Sequence, residues 1–87
     1  MKHDAAFLER RRAVLSALAV HGPQYAYELY RQVELRDTEV NGQLLSLHRH
    51  GLIKRAGPYA DLRAEKGWPP TWGLTAAGRQ ELRRLSA

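Results

Sequence analysis

The chain contains no cysteine, little phenylalanine or methionine, and no long apolar run. Without cysteine it forms no disulfides, thiolate nucleophiles or cysteine-ligated zinc sites. Its longest apolar stretch, residues 13–20, is interrupted by Ser16 and falls far short of the roughly 20 residues that a membrane span needs. No apolar signal-peptide core follows the first residues, so we expect a cytoplasmic protein without a membrane segment.

The length and the charge limit the kinds of function further. The 87 residues predict one domain, 1–87, with a single small core and no cleft between lobes. We therefore expect a binding module without a cofactor and without an evident small-molecule ligand. Fourteen Lys and Arg against nine Asp and Glu give a net charge of +5, which favours a polyanionic partner such as nucleic acid.

The chain has no recognisable catalytic or metal-binding motif. His48 and His50 lie two residues apart on a predicted helix, so they point in different directions and make a poor chelate. The serines at 16, 46 and 86 lack the surroundings of a nucleophile elbow, and no glycine-rich phosphate loop occurs. We therefore expect neither an enzyme nor a metal site.

Apolar periodicity predicts a first helix over about 4–20. It begins at Asp4, a good N-cap, and ends before Gly22-Pro23, a glycine stop followed by a helix breaker. Arg11 lies in the middle of its apolar arc. Two interpretations remain open: the first turns overhang the core, or Arg11 extends to solvent from the edge of a monomer core.

Two further helices joined by a short turn are predicted over about 24–34 and 38–50. The second of these places Val40, Leu44 and Leu47 on its inner face, with an N-cap at Asp37 or Thr38. Small polar side chains occupy its outer face. This arrangement is typical of a helix-turn-helix with its recognition helix.

A short β-hairpin, the wing, is predicted over about 52–74. Its strands are Leu52 to Arg55 and Thr71 to Leu74, and the loop at 59–70 is too polar and proline-rich for regular structure throughout. Thr75 caps a last helix over about 75–86. The chain is therefore predicted to be mainly α with a small β-hairpin, a winged helix-turn-helix with a three-helix core, a two-stranded wing and a C-terminal helix.

Four segments carry a resemblance to a known family: Leu15 to Pro23, Tyr27-Glu28-Leu29, Leu44-x-x-Leu47-x-x-x-Gly51-Leu52-Ile53, and Trp72 to Arg79. Together they resemble the PadR-like winged-helix transcriptional regulators over nearly the whole chain. The leucine and glycine spacing is shared by many winged-helix families, and Gly-Pro combined with Tyr-Glu-Leu favours PadR.

The chain also departs from the PadR-like pattern. Ala26 stands where the family usually has glycine, and Asn41 stands where it usually has a tyrosine of the third helix. The family's C-terminal dimerisation region is missing, because the sequence ends at Ala87. We therefore expect a minimal form of the family.

The fold and the resemblance imply sequence-specific binding of double-stranded DNA by a transcriptional regulator, a repressor rather than an activator. The third helix would read the major groove, and the wing would contact the backbone or the minor groove. Asn and Gln can pair bidentately with adenine, which favours Asn41 and Gln43. Asn41 has a second interpretation, as a side chain partly under the helix at the family's tyrosine position. The base-reading candidates are Thr38, Asn41, Gly42, Gln43 and Ser46, and the phosphate and wing candidates are Arg49, Lys54, Arg55, Arg63 and Lys66.

Three questions remain open from the sequence. The recognition helix has no lysine, its first arginine is Arg49, and Leu45 lies outward, so a protein-interaction module is the alternative function. The cluster Arg10-Arg11-Arg12 spreads around the helix, which leaves its contact with DNA undecided. A homodimer would form through the first helix, with Phe7 and Leu8, and the last helix.

Overall fold

A computed structural model describes residues 4–87. Residues 1–3, which fall within the predicted domain, lie outside the described residues. The elements confirm a mainly helical fold with a two-stranded hairpin. In chain order they are α1 (Ala5–His21), α2 (Ala26–Gln32), α3 (Asp37–Arg49), β1 (Ile53–Arg55), α4 (Ala60–Lys66), β2 (Trp72–Leu74) and α5 (Ala76–Ser86).

A single apolar core lies between the helices and the hairpin. The ends of α1 follow the predicted signals: Asp4 accepts the backbone N–H of Phe7 at 2.7 Å, and Gly22 adopts a φ of 77° at the C-terminal end. Burial of this apolar surface is the main favourable contribution to folding. The buried core residues are Val14, Leu15, Ala17, Leu18, Leu29, Val33, Val40, Leu44, Leu47 and Ile53.

Helix α2 is shorter at both ends than the predicted 24–34. Gln24 forms an antiparallel bridge with Trp72, with N–H to carbonyl distances of 3.0 and 2.8 Å, so its backbone extends the hairpin. At the other end Val33 is extended, with φ −115° and ψ 146°. Because the backbone groups of Gln24 pair with β2, they are not available to a helix.

The two wing strands pair antiparallel, with Ile53 opposite Leu74 and Arg55 opposite Trp72. The prediction that the connecting loop is irregular is wrong for seven of its residues, which form α4. Alanine and leucine favour a helix there, and the helix ends at Gly67, with φ 70°, before the two prolines. The prolines therefore follow the helix and do not interrupt it.

Thr75 is the N-cap of helix α5, which packs closely on the short segment just before β1. The Thr75 hydroxyl accepts the Gly78 N–H at 3.0 Å and donates to the Gly51 carbonyl at 2.7 Å. A Cβ at Gly78 would lie 2.0 Å from the Leu52 carbonyl oxygen. Only glycine permits this approach of a helix to a neighbouring backbone.

Arg11 lies at the junction of α1, α3 and α5 and is only 6% exposed. Its Nη2 donates to the Ser46 Oγ at 2.7 Å, and its Nη1 lies 3.6 Å from the Glu81 Oε2. The guanidinium also lies 5.1 Å from the centroid of the Phe7 ring. The interpretation in which Arg11 extends to solvent is therefore wrong, because Arg11 is a buried link between three helices; the overhang of the first turns stays a prediction.

Candidate nucleic-acid interface

The exposed side chains of α3 recur at spacings of three and four residues, so they form one surface, which we call the outer face of α3. Apart from the exposed Asp37 at its first position, the remaining residues of the helix contact the core or α1. The outer face consists of Thr38, Asn41, Gly42, Leu45, His48 and Arg49.

Two of the predicted base-reading residues lie away from this face. Gln43 is 2% exposed and its Nε2 donates to the Phe7 carbonyl at 3.1 Å. Ser46 is half-buried and accepts the hydrogen bond from Arg11. Gln43 lies three residues after the buried Val40, at the boundary of the inner face, and the contact with α1 completes its burial. These contacts with α1 remove Gln43 and Ser46 from the groups available to a groove.

The other three base-reading candidates lie on the outer face, and their contact with bases stays a prediction. Thr38 is exposed, and nothing lies within 4 Å of the position that a Cβ of Gly42 would take. Asn41 is exposed and its Oδ1 accepts the Tyr30 hydroxyl at 2.7 Å. The alternative interpretation, in which Asn41 lies partly under the helix, is therefore wrong.

Leu45 and His48 are central to the outer face and were missing from the predicted site. Leu45 is 62% exposed, and the His48 ring centroid lies 4.8 Å from that of Trp72 on the wing. Leu45 lies four residues from both Asn41 and Arg49, and His48 lies three residues after Leu45 and seven after Asn41. Extending that spacing along α3 would have identified them from the sequence.

The contact between His48 and Trp72 joins the outer face of α3 to the wing. Arg55 lies opposite Trp72 in the hairpin, so both side chains are on the same side of it. Lys54 lies on the other side, opposite Gly73, and Lys66 is in the last turn of α4. Among the predicted phosphate contacts, Arg49, Lys54, Arg55 and Lys66 are all exposed.

Arg63, also predicted to contact phosphate, has a structural role. It is half-buried, and its guanidinium lies 5.0 Å from the centroid of the Tyr25 ring. Its Nε is buried and has no hydrogen-bond partner within residues 4–87. The stacking attaches α4 to the chain just before α2, which corrects the expectation that Arg63 extends from the wing.

The three consecutive arginines 10–12 approach three different carboxylates. Arg10 lies 3.7 Å from Glu39 on α3, Arg11 lies near Glu81 on α5, and Arg12 pairs with Glu9 within α1. Consecutive residues diverge around a helix, which explains the three directions. The three arginines therefore form no common basic face in the structure.

Acidic groups concentrate at the N-terminal end of α3. The Glu39 carboxylate accepts the Arg36 backbone N–H at 3.0 Å, and this bond, aided by the guanidinium groups of Arg36 and Arg10, lowers the pKa of Glu39. Asp37 is also exposed there. Ionised carboxylates are favourable near a helix N-terminus. The unpaired positive charge of the outer face is consequently at its C-terminal end, next to the wing.

Residues 4–87 contain no group of three His, Asp or Glu side chains placed to hold a metal ion. Within the same residues, none of the helices combines the length and apolar character needed to cross a membrane.

Comparisons with known proteins identify the fold. No protein-family model matches the chain, and no curated protein matches it. The structure is similar to that of the Zalpha domain from Carassius auratus PKZ in complex with Z-DNA, with a TM-score of 0.63 and 21% sequence identity. The match covers 82% of this chain and 100% of that chain. This likeness and the helix and strand order establish that the chain folds as a winged-helix domain.

Proposed function

We propose that this chain binds double-stranded DNA through the outer face of α3 and the side of the wing that carries Arg55 and Trp72. The observation that carries the proposal is the contact of the exposed His48 ring with the half-buried Trp72 ring, at 4.8 Å between centroids, which places the helix face next to the wing. Arg49 and Arg55 lie at the basic end of this surface. The structural likeness to a domain solved with Z-DNA supports the proposal.

The arrangement divides the contacts into two groups. α3 enters the major groove, with Thr38 and Asn41 near base edges and Gly42 permitting close approach of the groove wall. The cationic side chains at the C-terminal end of α3 and on the wing bind phosphate oxygens. The logarithm of the binding constant falls linearly with the logarithm of the salt concentration. Each phosphate that the protein neutralises adds roughly 0.9 to the steepness of this fall. The phosphate contacts on this surface are Arg49 and Arg55, whereas Lys54, on the other side of the hairpin, and Lys66, on α4, would reach phosphates only beyond it.

The proposal extends to transcriptional regulation in the cytoplasm, with repression by occupancy of the DNA. The PadR-like motifs in the sequence are its support. One recognition helix reads few base pairs, so we also propose a homodimer through α1 and α5 on a palindromic site. Sedimentation at micromolar concentration tests the dimer. A monomer at those concentrations would contradict it.

Binding is tested by fluorescence anisotropy with mixed-sequence duplexes over a salt series. Arg55→Ala is expected to weaken all duplexes alike and to lower the salt slope by about one. Arg31→Ala is the matched control, because it removes an exposed arginine from α2, outside the proposed DNA surface and outside the helices of the proposed dimer. Binding that is weak and indifferent to salt for every duplex would overturn the proposal and favour a protein-interaction module centred on Leu45.

A left-handed duplex is the second candidate ligand. The solved complex of the similar domain contains Z-DNA, and burial of Gln43 leaves the outer face with few groups for reading bases. Circular dichroism of an alternating dC-dG duplex distinguishes the two ligands, since its spectrum inverts in the left-handed form. Inversion on titration with the protein supports this candidate. Tight binding to mixed-sequence duplexes without inversion supports right-handed DNA.

A further inference from the structure

Gly42 is a glycine that the fold of this chain does not require. Four of the seven glycines adopt a positive φ, and a Cβ at Gly73 or Gly78 would lie only 2.8 or 2.0 Å from another segment. Gly42 has neither property. It lies inside α3, and beyond its chain neighbours and the helix backbone nothing in residues 4–87 lies within 4 Å of its Cβ position. Because glycine makes a helix less stable than alanine does, close approach by a group outside the chain is what gives Gly42 a role.

Leu45 borders this open position. It lies three residues after Gly42, so both residues are on the same face of α3, and Leu45 is 62% exposed. A helical side chain covers the surface over the preceding turn, which for Leu45 is the turn that contains Gly42. No atom of Leu45 lies within 4 Å of the Gly42 Cβ position, so the space beside the leucine is open. Gly42 and Leu45 therefore form a shallow notch, the α3 notch, with the helix backbone as its floor and an apolar side chain as one wall.

The chemistry of the α3 notch selects an apolar group. The Leu45 side chain offers no hydrogen bond, and the backbone groups of Gly42 lie inside a helix, where they bond to other turns. A polar base atom placed in the notch would lose its water without gaining a partner. Among the four bases, thymine presents an apolar group in the major groove, its C5-methyl. A methyl group also has the size of the Cβ that Gly42 lacks.

We propose that the α3 notch receives the C5-methyl group of a thymine in the major groove. This inference rests on the proposed binding of right-handed DNA and makes Leu45 a specificity-determining residue of that surface. Gly42 provides the space, and Leu45 provides the apolar contact. Burial of one methyl group corresponds to a preference of about fourfold.

The test removes that methyl group from the DNA. Selection from a random duplex library first locates the site. Each thymine of the site is then replaced by uracil, which pairs with adenine in the same way and lacks only the C5-methyl group. By fluorescence anisotropy, we expect the replacement of one particular thymine to weaken binding about fourfold.

Two variants remove the α3 notch in different ways. Leu45→Ala deletes its wall, and Gly42→Ala fills it with a methyl group, so in each variant the affinities for the thymine and uracil duplexes are expected to become equal. Leu45 is exposed and the Gly42 Cβ position is open, so neither variant is expected to lower the urea midpoint of unfolding. This measurement separates a lost contact with DNA from a damaged fold.

Two further variants are controls that keep the notch. Leu45→Met retains an apolar wall, so the thymine preference is expected to persist. Leu62→Ala removes a leucine that is 39% exposed on α4, outside α3, and is also expected to leave the preference unchanged.

Several results would overturn the inference. They are equal affinity for thymine and uracil at every position, a selection that enriches no sequence, and a thymine preference that survives either Leu45→Ala or Gly42→Ala. Any of these results, combined with tight and salt-dependent binding, contradicts the α3 notch and leaves the proposed function standing. Absence of binding to every mixed-sequence duplex contradicts both.

Discussion

The junction of α1, α3 and α5 is held together very differently from the wing helix α4. Beside the junction a Cβ of Gly78 would lie 2.0 Å from the Leu52 carbonyl oxygen, and within it the buried Arg11 links Ser46 to Glu81. In α4 none of the seven residues is buried, and the attachment includes the stacking of Arg63 on Tyr25. The difference indicates that α3 is fixed rigidly by its inner side, whereas α4 opens at lower free energy.

The largest expected effect is at the tightest contact of the junction. Gly78→Ala places a methyl carbon 2.0 Å from the Leu52 carbonyl oxygen, so α5 must shift away from the segment before the hairpin. We expect a loss of about 3 kcal/mol in the free energy of unfolding, measured with urea. Gly42→Ala is the control, since nothing lies within 4 Å of its Cβ position. It is expected to stabilise the protein by up to about 1 kcal/mol.

A Gly78→Ala variant that is as stable as the unchanged protein would contradict the comparison between the junction and the wing helix α4. If its unfolding free energy equals that of the unchanged protein, the close approach of α5 to Leu52 is not a constraint on the fold. The junction would then be no tighter than the wing.

The second prediction concerns the ion pairs of the same junction. The Glu81 carboxylate lies 2.7 Å from the Arg84 Nε and 3.6 Å from the Arg11 Nη1. The hydrogen bond from Arg84, followed by the charges of both arginines, lowers the pKa of Glu81 in the folded protein. Glu81→Gln is therefore expected to cost about 1–2 kcal/mol of unfolding free energy at neutral pH.

The pH dependence of this effect has a defined sign. Because the pKa of Glu81 is lower in the folded protein than in the unfolded chain, its ionised carboxylate stabilises the protein fully at pH values above the ordinary carboxylate pKa, 4.5. The contribution disappears as pH falls through the lowered pKa, so Glu81→Gln and the unchanged protein should converge in acid. Glu9→Gln, which alters an exposed pair within α1, is expected to have a smaller effect. An unchanged difference between pH 7 and acid would contradict the assignment.

The smallest expected effect is in the wing. Arg63→Ala removes the guanidinium from the Tyr25 ring, a contact of about 0.5–1 kcal/mol, and leaves the core intact. We expect faster hydrogen exchange within α4 and little change at α1 or α3. Lys66→Ala is the control, because Lys66 is exposed on the same helix. Equal exchange rates of α4 in both variants would show that the stacking does not hold the wing helix.

Much of the fold was predictable because local signals and apolar periodicity agree. Val40, Leu44 and Leu47 recur at helical spacing, Gly22-Pro23 ends α1, and Thr75 caps α5. The candidate site was predictable in part. Thr38, Asn41 and Gly42 follow from the same spacing, and the same reasoning, applied fully, identifies Leu45.

The remainder depended on contacts between distant segments. Gln43 is a polar side chain near the boundary of the inner face, and its burial follows from the Phe7 carbonyl, 36 residues away in sequence. Ser46 meets Arg11 across 35 residues. Residue type and periodicity carry no information about which element will cross α3 at these points.

The sequence by itself determined the positions of α1, α3 and α5, the hairpin, the core-facing leucines and the excess of positive charge, because these depend on neighbours within a few residues. Only the tertiary structure decided which polar groups remain available to a partner. It turned Gln43, Ser46 and Arg63 inward, directed Asn41 through Tyr30, and joined His48 to Trp72. The physical reason is that buried polar groups must find hydrogen-bonding or stacking partners, and the packing of helices supplies those partners.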